Sequence, residues 1–142
     1  MFEFHGWAVL RLTPHWDVDL DEEDRIQEAE RGLVTGARNR LAQVSAHFSE
    51  VTSYNGKDMV TLGGYTSHRQ DSVVDFFRWL SQAGPGSYGL LSIHDDEDAR
   101  TTGTTGVFRH WVLKRGTLTE EEDAFLSPFQ PVIEDWPSRH AT

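Results

Sequence analysis

The chain has 142 residues, room for one domain, and it contains no cysteine. Disulfides, thiolate zinc sites and cysteine nucleophiles are therefore excluded. Its 13 basic and 23 acidic residues leave a net charge of −10 with His neutral, which argues against nucleic acid and anionic membranes as direct partners. The acid excess favours a cationic partner, or it serves only solubility.

The N-terminal stretch, MFEFHGWAVLRL, lacks a basic leader, and Glu3, His5 and Arg11 interrupt its apolar run. It reads as a first strand over residues 2–12 and not as a signal peptide. No apolar run approaches the ~18 residues needed to cross a bilayer, so a cytoplasmic protein is the expectation. An acidic connector, HWDVDLDEED, follows. A helix is expected over residues 21–48, because Ile26, Ala29, Leu33, Ala37, Leu41, Val44 and Phe48 recur at steps of three or four. Asp21, Glu22, Glu23 and Asp24 suit its positive N-terminal end. Gly32 and Gly36 weaken its middle, and mark either a close approach or a break.

In VTSYNGKDMVTLGGY, the pair Asn55-Gly56 predicts a two-residue hairpin between a second and a third strand. Residues 67–84 read as a second helix with Val73, Phe76, Phe77 and Leu80 inward, stopped by AGPG. Residues 88–93 are almost wholly apolar, as an inner strand requires. A fifth strand is expected over residues 107–114, then a turn at Arg115-Gly116. Thr119 with Glu122 fits a capping box, so a short helix is expected over residues 119–125. The fold class that results is α+β: a ferredoxin-like sandwich with a mostly antiparallel five-stranded sheet, two main helices on one face and the short C-terminal helix. Right-handed crossovers would make strands one and two parallel, and strands three and four parallel. Residues 1–137 form the expected single domain, and residues 138–142 a loose tail.

Chemistry concentrates in acids. Four stand in a row at Asp95, Asp96, Glu97 and Asp98, directly after the apolar strand. Adjacent carboxylates can raise one another's pKa and form an acid/base pair. No phosphate loop, serine-nucleophile elbow or dinucleotide fingerprint accompanies them. Asp17, Asp19, Asp21 and Glu28 match part of a calcium-loop spacing, but Glu22 stands where that loop needs Gly. The seven histidines show no metal-binding spacing. No metal and no cofactor is expected. What remains is a binding surface, with Trp16 set among the acids of the first cluster. Carboxylates beside a Trp anchor suit an Arg- or Lys-bearing partner.

The segments FHGWAVL, YNGKDMVTLGGYTSHR, YGLLSIHDDED and WVLKRGTLTEEEDAFLSPFQPVIED, in this order, resemble the immunity protein 7 family of bacterial polymorphic toxin systems. The resemblance implies a small α+β cytosolic antidote that binds and neutralises a cognate toxin and is not an enzyme. It carries no residue-level binding map. Toxins of this kind are often nucleases with cationic substrate sites, which an acidic antidote can occupy with fast, steered association. The reading is stoichiometric binding of a cognate toxin C-terminal domain with a basic surface, by a monomer or weak dimer. The binding candidates are Asp95, Asp96, Glu97 and Asp98, then Trp16, Asp17 and Asp19. The alternatives are a small enzyme using Asp95 and Asp96, and a calcium-dependent interaction module.

Overall fold

The structure is a computed structural model that describes residues 1–13, 23–98, 100 and 107–126. Six strands and two helices follow in the order β1 (Phe2–Leu10), α1 (Glu23–Leu41), β2 (Phe48–Tyr54), β3 (Lys57–Thr66), α2 (Asp71–Ala83), β4 (Tyr88–Asp95), β5 (Phe108–Lys114) and β6 (Thr117–Glu122). The sheet runs β2-β3-β1-β4-β5-β6, and every adjacent pair is antiparallel. Since β1 and β2 both run against β3, they are parallel to each other with β3 between them. β3 and β4 are parallel across β1 for the same reason. Both expected parallel relations therefore hold, and two further strands extend the sheet beyond β4.

Strand periodicity divides the sheet into two faces. Phe2, Phe4, Ala8 and Leu10 of β1, Val60 and Leu62 of β3, Leu91 and Ile93 of β4, and Leu113 of β5 point to one side. There they form a single core with Leu33, Ala37 and Leu41 of α1 and Val73, Phe76, Phe77 and Leu80 of α2. Burying such side chains supplies the main favourable free energy of the fold, roughly 1.5–3 kcal/mol each. Gly36 does not break α1. Its missing side chain admits the Trp79 ring of α2, 2.9 Å from where a Cβ would stand. The opposite sheet face carries no helix among the described residues.

The Asn55-Gly56 hairpin is present, with φ of 49° and 78° at the two turn residues. β4 is an inner strand between β1 and β5. Three expectations need correction. The first helix stops at Leu41, not residue 48, and Phe48 opens β2 with its side chain 54% exposed. The side-chain amide of Gln70 donates to the Ser45 carbonyl and accepts from the Ser45 N–H, holding this segment to the start of α2. That long-range clamp outweighs the helical periodicity. The sheet has six strands, not five. The expected short C-terminal helix is instead β6, paired with β5 through Arg115 and Gly116, whose φ values are 50° and 76°. That turn geometry returns the chain along β5, and the hydrogen bonds gained there override the local capping box.

Candidate functional site

Asp95 closes β4, and strand alternation places it on the same side as Leu91 and Ile93. Its side chain is consequently 5% exposed. A buried carboxylate requires charge and hydrogen-bond partners. Arg69 Nη1 stands 3.5 Å from one oxygen, and the Glu97 backbone N–H donates to the other at 3.0 Å. The Asp98 N–H donates to the Asp95 carbonyl, so the carboxylate and the main chain of Asp95 together build the turn over residues 95–98. Burial works against the Arg69 charge, and Asp71 and Asp95 outweigh it, so the guanidinium pKa is raised.

The next three acids have partners as well. Asp96 pairs with the N-terminal ammonium of Met1, and its backbone N–H donates to the Met1 carbonyl at 3.2 Å. Glu97 meets His68 Nδ1 at 2.9 Å. Asp98, 10% exposed, accepts the Arg100 backbone N–H at 2.9 Å and the Arg100 guanidinium at 2.8 Å, with Arg109 Nε at 3.6 Å. Arg100 reaches on to Glu120 of β6. The hydrogen bonds from Arg100 hold the Asp98 carboxyl down to about 2. A carboxylate so strongly held in its charged form is a poor proton donor.

The repulsion within the acid run is thus relieved inside the chain. Asp95 and Asp98 are turned inward, while Asp96 and Glu97, each 52% exposed, face solvent. Trp16, Asp17, Asp19 and Asp21 lie outside the described residues. Among the described residues no group of three or more His, Asp or Glu side chains is placed to hold a metal ion.

A second feature was not anticipated from the sequence. On the helix-free face, two neighbouring rows cross all six strands. One runs Glu50, Thr61, Trp7, Leu90, Val112 and Thr119. The other runs Phe48, Gly63, His5, Ser92, His110 and Glu121. Trp7 is 41% exposed and packs edge-on against Tyr88. The absence of a side chain at Gly63 lets the Phe48 ring lie across it. Period-two alternation could have grouped these residues, but their neighbours across the sheet depend on strand order.

Ser92 Oγ and His110 Nδ1 are 2.8 Å apart on this face, and His110 Nε2 is 2.7 Å from Asp123 Oδ1. Asp123 also accepts the backbone N–H groups of Phe125 and Leu126, so it caps the turn after β6. β4 is laddered on both sides, which commits the main-chain donors around Ser92 to the sheet. An acyl-transfer site would need free donors aimed at an oxyanion. The line of contacts ties β4, β5 and the turn together.

The immunity protein 7 family model matches residues 1–135, which takes in every strand and helix described. The chain belongs to the immunity protein 7 family. No curated protein and no solved structure matches it. Membership in the immunity protein 7 family points to a non-enzymatic antidote. No described helix of this immunity protein is long and apolar enough to cross a membrane.

Proposed function

We propose that this immunity protein binds a cognate bacterial toxin one to one and neutralises it in the cytoplasm. The toxin domain presents a cationic surface, as a nuclease-type effector does where it holds phosphates. The observation that carries this reading is the placement of Asp96 and Glu97, half-exposed at the end of an inner strand. Their partners, an exposed ammonium and an exposed His, hold them weakly, since solvent-facing pairs contribute roughly 0–1 kcal/mol. A toxin Arg or Lys can displace either. Asp95 and Asp98 support this edge from within. The buried placement of Asp95 and the lowered pKa of Asp98 speak against the alternative of an acid/base enzyme using the run.

The test pairs the chain with a purified toxin C-terminal domain, chosen by screening neighbouring genes for a secreted protein. Asp96→Asn with Glu97→Gln should leave unfolding unchanged and slow association at low salt, with the difference shrinking as salt screens the charges. Wild-type protein that neither binds that domain nor protects cells against it would overturn the proposal.

A further inference from the structure

We infer that the helix-free face of the sheet is the anchoring surface for the toxin, with the Asp96 and Glu97 edge as its steering rim. The inference rests on the immunity reading and assigns it a surface. Trp7, Phe48 and Leu90 line an open groove together with His5, Thr61 and Ser92. A half-exposed Trp beside a more exposed Phe on a helix-free sheet face is an apolar patch of the kind that partners cover.

Charge selects the occupant. Glu50 stands at the β2 end of one row, and Glu121 at the β6 end of the other. Both are exposed, and no cation pairs with either among the described residues. This contrasts with the run over residues 95–98, where every acid has a partner. Five strand spacings of ~4.8 Å separate the two carboxylates, roughly 24 Å. Lys57 and Lys114, on the same face, sit toward the opposite strand ends from Asp95. A fitting partner therefore offers an apolar or aromatic projection flanked by Arg or Lys at about that separation.

A second copy of the chain does not fit, because two molecules of charge −10 would bring these acids together. Nor does the C-terminal sequence over residues 127–142 supply the needed cations, since Glu134 and Asp135 outnumber Arg139. A basic toxin domain supplies both requirements. The apolar centre would set residence time, and the acids would set encounter rate.

The test uses the full chain and the same toxin domain, with binding kinetics read at low and high salt. Trp7→Ala should raise the dissociation rate at least about thirty-fold at both salts, the behaviour of a buried aromatic anchor. Glu50→Lys with Glu121→Lys, exposed positions that do not threaten folding, should slow association about ten-fold at low salt and much less at high salt. Circular dichroism confirms that each variant is folded. Folded Glu50→Lys/Glu121→Lys and Trp7→Ala proteins that bind within about twofold of wild type would overturn the inference and leave the immunity reading intact. Wild-type chain that does not bind the toxin domain would instead remove the reading on which it rests. A self-associating wild type that becomes monomeric on Trp7→Ala would also overturn it, by assigning the face to a second copy.

Discussion

Asp98→Asn is the sharpest probe of the acid run. The wild-type carboxylate accepts four hydrogen bonds from Arg100, one from its backbone N–H and three from its guanidinium. These hold its pKa at about 2, against an ordinary 3.8. Each pKa unit corresponds to ~1.4 kcal/mol, so the ceiling on this contribution is about 2.5 kcal/mol. Arg100 is half-exposed, and solvent screening reduces the expected contribution to about 1 kcal/mol. The sign follows from the depressed folded pKa. The stabilisation is fully present above the unfolded value near 4, and it is lost as pH falls through about 2. Urea unfolding of wild type and Asp98→Asn at pH 7, 4, 3 and 2 should show a gap of about 1 kcal/mol at pH 7 that closes between pH 4 and 2. Other carboxylates titrate alike in both proteins and cancel in the difference. A gap that stays constant down to pH 2 would refute the electrostatic account and assign the loss to packing.

Other outcomes follow from particular contacts. Gly89→Ala should destabilise the protein by about 3 kcal/mol or more in thermal unfolding, because a Cβ there would run into the Trp7 carbonyl and lie 2.7 Å from the Ala8 Cα, both backbone of β1. Gly32→Ala, with nothing within 4 Å of the added Cβ, should stabilise α1 by about 0.5–1 kcal/mol in the same assay. Phe4→Ala empties a fully buried site and should cost about 3–5 kcal/mol by urea denaturation. Asp96→Asn with Glu97→Gln should change unfolding by less than about 0.5 kcal/mol while slowing toxin association at low salt.

Local chemistry made the middle of the fold legible from sequence. Asn55-Gly56 demands a two-residue turn with positive φ, and the apolar run of β4 demands an inner position. Long-range contacts decided the parts that were misread. Phe48 continues the α1 periodicity, but the Gln70 clamp on Ser45 lies 25 residues away and ends that pattern. Thr119 and Glu122 suit a helix start, yet the Arg115-Gly116 turn delivers them to β5. The turn itself was visible, and a strand after it was the missed consequence.

The acid run was legible in position but not in orientation. Period-two alternation carried on from Leu91 and Ile93 would have turned Asp95 inward. Arg100 stands two residues from Asp98 and was visible locally, but Arg69 beside Asp95 and Arg109 beside Asp98 come from other parts of the chain and left no local mark. The helix-free face needed the full strand order before Trp7, Phe48 and Glu121 could be placed on one surface.

By the proposed function, this immunity protein neutralises a cationic toxin domain by stoichiometric binding. Isothermal titration of the chain into the same purified toxin C-terminal domain tests this most directly. The expected result is one-to-one binding with nanomolar affinity, weaker at high salt, together with loss of the domain's activity at equivalence. No binding at either salt, with toxin activity undiminished in excess chain, would contradict the claim.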